Sequence, residues 1–341
     1  MIIIPTSPRT PYYFWMLEAL INQNRLIGMD MTKFHVLLAF SPNQADLTNS
    51  PDVIEMYQRL ERANPDVGFF HYQDTRDPIT YLPSIVPMLL KQHLYHNRWL
   101  EHEALFLTDP DQLWITKPDY SDLERGDICY TSDSRGFVNH SYLTYGPRPK
   151  HIIEDLENLV GLRPGTILDQ NGNSGGSHYL VKSVPWGYFE KVEQDSDKIY
   201  QYLLDYNGKY DREFGPEQIN GWVAGVSGIQ AWAASMWALL YNLWYYGKET
   251  RITKRLDFCW GSDTIERWNS REIFHNAGVV SATAQSHNLF YKAAYTTRLP
   301  YKDIFDKTYN EGYATSKYVE ILRRTANESC LVGWEKLHTF V

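Results

Sequence analysis

The sequence predicts an α/β fold, a mostly parallel central sheet flanked by helices and followed by a helical C-terminal region. Three observations carry this expectation. Short apolar runs alternate with helical stretches through the first half of the chain, the rhythm of strand–helix–strand units. At 341 residues the chain is long enough to bury a full core unaided. Its three cysteines, Cys129, Cys259 and Cys330, are odd in number and widely separated, so neither a disulfide framework nor a zinc cluster is expected. No internal repeat, low-complexity tract or linker is visible, and a single domain over residues 1–341 is the simplest reading.

The elements follow in order. Met1–Ile4 is the first strand, an apolar run too short, and without the basic flank, for a secretion signal. A helix over Tyr13–Asn24 leads to a strand at Phe34–Phe40, a helix at Val53–Ala63 and a strand at Val67–Tyr72. The helical stretch Ile79–Tyr95 carries Pro83 and Pro87, which kink a helix or delay its start. Ala104–Thr108 and Asp127–Tyr130 complete a Rossmann-like beginning. No GxGxxG turn follows the first strand, which argues against a dinucleotide fold of the dehydrogenase kind. Bound phosphates then need another partner, usually a metal ion on hard oxygen ligands.

The second half is less regular and richer in Trp and Tyr. A polar loop at Gly165–Gly176 precedes a strand at His178–Lys182, and an aromatic helix covers Gln230–Gly247. Asp257–Trp260 and Ile273–Phe274 read as short strands and Ser316–Arg324 as helix. The longest apolar stretch, Ile229–Tyr246, is broken by Gln230, Ser235 and Asn242 and reads as a buried helix, with no membrane span. The expected location is the cytoplasm, or the host cytoplasm for a phage-encoded chain.

A net charge of -8 argues against a general nucleic-acid binder. The charge is uneven: residues 245–341 hold 14 Lys+Arg against 11 Asp+Glu, leaving 19 against 30 for residues 1–244. Only the C-terminal third offers a basic balance, and ordinary solvated charge accounts for so small an excess. Aromatic residues make up 15% of the chain, including 25 Tyr and 11 Trp, more than a core alone needs. Rings of this kind cover sugar faces or stack on bases.

The densest chemistry lies at Asp109-Pro110-Asp111, where a buried strand ends in two carboxylates. Residues two apart on an extended chain face the same side, and ligands bind at the C-terminal edge of an open α/β sheet. Such a pair suits Mg²⁺ or Mn²⁺, although an isolated Asp-x-Asp also forms plain turns. His275 follows a short apolar run and reads either as a third ligand or as a satisfied structural histidine. Asn173-Ser174-Gly175-Gly176 pairs hydrogen-bonding side chains with glycines that admit close backbone approach, or forms a Gly-Gly hairpin. After the first strand, Thr6, Ser7 and Arg9 are placed to hold a nucleotide, with Arg76 a weaker candidate of the same kind.

Asp109-Pro110-Asp111 followed by Gln112-Leu113-Trp114-Ile115-Thr116-Lys117-Pro118 resembles the DxD region of glycosyltransferases of the GT-A fold. The resemblance implies that Asp109 and Asp111 chelate Mn²⁺ or Mg²⁺ on a nucleotide-sugar diphosphate, with residues 1–130 as the donor half and 131–341 as the acceptor half with its C-terminal helices. It implies a late histidine, here His275, completing the metal site. The Asn173–Gly176 segment is similar to the loop that contacts donor sugar or acceptor in many such enzymes. A looser, patchy similarity links Tyr12-Tyr13-Phe14-Trp15 and the helix Ala231–Ala238 to plant peptidyl hydroxyproline arabinosyltransferases and peptidyl serine galactosyltransferases. Ser235 stands where those enzymes carry Glu, so the catalytic carboxylate falls to others: Asp169, Glu217 or Asp263.

The expected function is a metal-dependent glycosyltransferase using a UDP-sugar, of arabinose, glucose or galactose, on an acceptor hydroxyl. The acceptor is a glycan or a hydroxylated base of phage DNA, the latter calling on Arg251, Lys254, Arg255, Arg323 and Arg324 for phosphate. A nucleotidyltransferase would bring a Gly-rich phosphate loop and a nearby Lys, and neither is present. A non-catalytic carbohydrate-binding protein explains the aromatics and leaves the Asp109/Asp111 pair unexplained.

Overall fold

The computed structural model of the protein describes residues 1–146, 149–214 and 228–340, so Glu217 lies outside the described residues. The chain forms two compact units from separated segments: Met1–Asp74, Leu107–Tyr120 and Arg255–Val341 in the first, Thr75–Phe106 and Ser121–Lys254 in the second. The strands are β1 (Ile2–Pro8), β2 (His35–Phe40), β3 (Gly68–Gln73), β4 (Ala104–Thr108), β5 (Gln112–Trp114), β6 (Cys129–Thr131), β7 (Tyr179–Lys182), β8 (Thr250–Ile252), β9 (Phe258–Trp260) and β10 (Ile273–His275).

Seven strands build a mostly parallel sheet in the order β3-β2-β1-β4-β7-β6-β8, the expected α/β class and consistent with a GT-A, Rossmann-like arrangement. β1 and β2 run parallel, as do β2 and β3, and β6 and β8, whereas β6 and β7 are antiparallel. β1, β2 and β4 are buried along most of their length, which is why they appear as continuous apolar runs. A second sheet, β5-β10-β9, pairs β10 antiparallel to β5 and parallel to β9.

In the first unit the helix Pro11–Leu26 opens on Pro11, where a missing N–H costs nothing, and buries Phe14, Trp15, Leu17, Leu20 and Ile21 against β5 and the helix Ala314–Asn327. Trp15 meets Phe290 edge-on with ring centroids 5.8 Å apart, and Phe274 lies 5.1 Å from Tyr318. The same helix buries Glu18, whose carboxylate accepts hydrogen bonds from the Tyr301 hydroxyl, Ser329 Oγ and the Cys330 N–H at 2.8 Å. Burial pushes this carboxyl up, and those donors only partly restrain it.

In the second unit the helix Trp186–Phe214 packs against the helices Ile85–His96 and Ala234–Tyr245. Its length was not anticipated, because charged residues dilute it. The core residues Tyr188, Phe189, Val192, Ile199, Leu203 and Tyr206 nevertheless recur at helical spacing. The stretch containing Pro83 and Pro87 begins as a 3-10 turn at Leu82–Ser84 and turns α-helical at Ile85. Pro87 thus falls in the first turn, where no intrahelical partner is lost. Among the described residues no helix is long and apolar enough to cross a membrane.

Candidate functional site

The metal candidates converge inside the first unit. β4 delivers Asp109, and Gln112 N bonds back to the Asp109 carbonyl at 3.2 Å, closing a turn across Pro110 that returns the chain as β5. The β5/β10 register sets His275 opposite Gln112, and the Asn276 N–H donates to the Asp111 carbonyl at 2.9 Å. Sheet pairing therefore carries an imidazole across 164 residues of sequence to the two carboxylates. His275 Nε2 lies 3.5 Å from Asp111 Oδ1 and 3.9 Å from Asp109 Oδ2. One ligand atom from each residue lies within 4.8 Å of the others.

These residues fit a divalent cation. Ligands about 2.1 Å from a common Mg²⁺-sized ion stand about 3 to 4.2 Å apart, a range that includes both imidazole–carboxylate distances. Two carboxylate oxygens with one neutral imidazole form a mixed oxygen–nitrogen set suited to such ions. Asp109 keeps half of its side chain exposed while Asp111 is 6% and His275 10% exposed. The cluster is thus walled on one side and open on the other.

Gln112 fixes the geometry. Its Oε1 accepts from Thr108 Oγ1 at 2.6 Å and from the Asp109 N–H at 3.2 Å, while its Nε2 lies 3.4 Å from Asp109 Oδ2 and 3.3 Å from His275 Nδ1. Trp260 stacks on the His275 ring at 5.4 Å with 20° between planes, and Phe258 packs beside it. Lys292 Nζ forms an ion pair with Asp111 Oδ2. Burial alone would raise the Asp111 carboxyl, but the charges of Lys292 and His275 outweigh it and hold the group below the usual carboxylate range. The partial loss of its hydration and the Asp111 charge push Asp109 upward. Tyr12 and Tyr13 complete the surroundings: burial raises both phenols, and the Asp111 charge raises them further.

Lys292, Gln112, Trp260 and the nearness of the Tyr12 and Tyr13 phenols to Asp111 were missed from sequence. Lys292 is 181 residues from Asp111 in sequence with no local signal. Gln112 is adjacent to the carboxylates, and its role depends on which strand pairs with β5.

Other candidates lie elsewhere. Thr6 and Ser7 are buried in β1, and Ser7 Oγ has no hydrogen-bond partner among the described residues. Arg9 donates to the Thr48 carbonyl at 2.7 Å and to Asn49 Oδ1 at 3.3 Å, reaches His71 Nδ1 at 3.4 Å and lies over the Phe40 ring. Asp263 accepts from the Trp260 N–H at 2.9 Å.

In the second unit, Arg76 donates to the carbonyls of Tyr81 and Leu82 and to Ser84 Oγ, bracing the start of the helix Ile85–His96. Asp169 pairs with Arg163 at 2.7 Å on the open surface. Asn173 Nδ2 donates to Gln170 Oε1 at 3.4 Å, and the buried Ser174 donates to the Gln170 carbonyl at 3.0 Å. Gly176 N–H donates to the Ser132 carbonyl at 3.1 Å, while the Ser132 and Ser134 hydroxyls donate to the Gly176 carbonyl. A Cβ at Gly175 would overlap Thr131 Oγ1 and the Ser132 carbonyl, and one at Gly176 would meet Tyr179 Oη at 2.6 Å and Met236 Cε at 2.8 Å. Gly175 therefore lets this loop lie directly on the chain leaving β6, and Gly176 lets it lie against Tyr179 and Met236. The same unit has an open polar cavity of about 470 Å³ whose lining includes Asp133, Arg135, Asn139 and Tyr145.

No protein-family profile matches the chain. No curated protein matches it in sequence. Among solved structures it is similar to a glycosyltransferase involved in the glycosylation of the major capsid of PBCV-1, at 9% identity over 84% of this chain and 98% of that one, with a TM-score of 0.33. That likeness is too distant to assign a reaction, which rests on the residues of the site.

Proposed function

We propose that the protein is a metal-dependent glycosyltransferase whose Asp109, Asp111 and His275 hold Mn²⁺ or Mg²⁺ against the diphosphate of a nucleotide-sugar, a UDP-sugar in the first instance. The convergence of these three residues at a sheet edge is the single observation that carries the reading. When bound, the metal supplies Lewis-acid neutralisation of the charge that develops on the departing diphosphate. The chain's own residues orient and enclose. Gln112 keeps Asp109 and His275 in register, and the Trp260 ring blocks one face of the imidazole. Ser7 and Thr6 stay in the proposal as nucleotide contacts, with Arg9 and Arg76 in positions already bonded to neighbouring backbone. Asn173–Gly176 remains a proposed sugar contact, and Asp169 and Glu217 the proposed catalytic carboxylates.

A glycan hydroxyl suits the surface better than a base of DNA. Of the five cations that a DNA acceptor needs, four are bonded internally. Arg251 pairs with Glu249, Arg255 donates to the Asp119 carbonyl, Arg323 donates to the Ile304 and Lys307 carbonyls, and Arg324 donates to Gln23 Oε1. The polar cavity of the second unit sets carboxylate, guanidinium and amide groups beside the Tyr145 ring, a chemistry that suits sugar hydroxyls and sugar faces.

A thermal-shift panel of UDP-, GDP-, CMP- and ADP-sugars with and without Mn²⁺ tests this. A ligand that binds only the native state raises its melting temperature by mass action. One donor should do so only with metal present, and Asp111→Ala should erase the effect. A panel in which no donor shifts the wild type under either condition would sink the proposal. Mass spectrometry of glycans and DNA incubated with the accepted donor then identifies the acceptor.

A further inference from the structure

We propose that Lys292 is a tethered counter-cation of the metal centre, whose ammonium group neutralises Asp111 at Oδ2, beside the Oδ1 that faces His275 and would take a divalent ion, so that metal binds only by driving it away. The inference rests on the metal-centre reading above and concerns how that centre loads.

Both oxygens of Asp111 are engaged: Oδ2 by Lys292 Nζ, and Oδ1 faces His275 Nε2 at 3.5 Å. The Asp111 side chain is 6% exposed and that of Lys292 28%, so little water screens the pair. A divalent ion on Asp109, Asp111 and His275 would stand within a few ångströms of the ammonium and repel it. The backbone around Lys292 is anchored, because Phe290 and Tyr295 are buried and stack at 5.5 Å with 9° between planes. Relief therefore comes from the four-carbon stem swinging away, while the segment that carries it stays in place.

Two consequences follow from charge. Asp109 and Asp111 are balanced in part by Lys292 before any metal arrives, so metal alone gains less than two free carboxylates would give it. Once displaced, the ammonium leaves the centre with excess positive charge, which an arriving diphosphate anion neutralises. Metal and nucleotide then each raise the other's affinity, and that coupling is reciprocal. Lys292 makes the centre load with its anionic ligand in preference to metal alone.

The test is a titration of the full chain with Mn²⁺, reading the free ion by electron paramagnetic resonance, with and without UDP as the probe anion. Lys292→Met keeps the length and apolar character of the stem and removes the charge. It should bind Mn²⁺ about tenfold more tightly than wild type without UDP, and the gain in Mn²⁺ affinity on adding UDP should shrink by a similar factor. Lys292→Arg keeps the charge and should bind Mn²⁺ no more tightly than wild type. Equal or weaker Mn²⁺ binding by Lys292→Met overturns the counter-cation role and leaves the metal centre standing. No Mn²⁺ binding by wild type or variant overturns both. If Lys292→Met melts too low to titrate, its melting temperature is followed against Mn²⁺: a larger metal-dependent rise than in wild type supports the role, and an equal or smaller one overturns it.

Discussion

The carboxylate turn at Asp109–Asp111 and the glycine loop at Asn173–Gly176 are both expected from sequence to serve the ligand, the first through a metal on the donor diphosphate and the second against donor sugar or acceptor. Their surroundings differ. The carboxylates meet groups from distant segments, His275 from β10 and Lys292 from the 3-10 turn Lys292–Tyr295, and one of them remains half open. Gly175 is pressed against Thr131 and Ser132 and Gly176 against Tyr179 and Met236, with the Gly176 N–H bonded to the Ser132 carbonyl. Two acids spaced to face one way invite a cation, because their mutual repulsion needs a partner. Two glycines announce only that something comes close, and here the chain itself does.

The comparison breaks first at Asp111. Asp111→Ala should abolish every Mn²⁺-dependent change in melting temperature. Retained Mn²⁺ response in that variant would remove the carboxylate turn from the metal centre. Gly175→Ala should cost about 1 to 3 kcal/mol through overpacking against Thr131 and Ser132, with Mn²⁺ affinity unchanged. An unaltered stability with lost donor binding would reverse the contrast and make the glycine loop a ligand contact.

Gln112→Leu keeps the side-chain bulk and removes the bonds that orient Asp109 and His275. It should weaken Mn²⁺ binding by about 10- to 100-fold, read by the same titration. Acid tests a histidine of the first unit that lies outside the metal cluster. His35, at the start of β2, is pushed down to about 4 by burial and the nearby Lys33, so its neutral form belongs to the fold. Because the folded value lies below the ordinary 6.5, this contribution is complete above about pH 6.5 and is lost as pH falls through the window toward 4. Urea midpoints across that window should decline less steeply in His35→Gln than in wild type, while its Mn²⁺ response at pH 7.5 matches wild type. Parallel declines would assign the acid sensitivity to other groups.

The smallest effect is expected at Asp169→Ala. The exposed ion pair with Arg163 contributes at most about 1 kcal/mol, so a loss of turnover in a variant of near-native stability would mark Asp169 as chemical. Unchanged turnover would leave the catalytic carboxylate elsewhere.

Much of the parallel sheet was legible because β2, β4 and the first part of β1 are buried and so appear as short apolar runs. The helix Trp186–Phe214 was not recognised, since its buried positions are separated by charged and polar residues that mask a helical period. Asp257–Trp260 and Ile273–Phe274 read as short strands and correspond to β9 and β10, whereas the three-residue β5 and β8 are too short to carry a period of two, and Gln112-Leu113-Trp114 is recognisable as strand chiefly through its partners.

By itself the sequence determined the α/β class, the absence of a dinucleotide turn and the pair of carboxylates at the end of β4, because each depends on residues adjacent in the chain. Whether Asp109-Pro110-Asp111 was a plain turn or part of a cation site depended on what stood across from it. Only the tertiary structure decided what stands there: the β5/β10 register sets His275 beside both acids, and the packing aims Lys292 at Asp111. The reason is physical: spacing along a strand fixes which way neighbouring side chains point, whereas the field they experience is set by groups that only folding brings within a few ångströms.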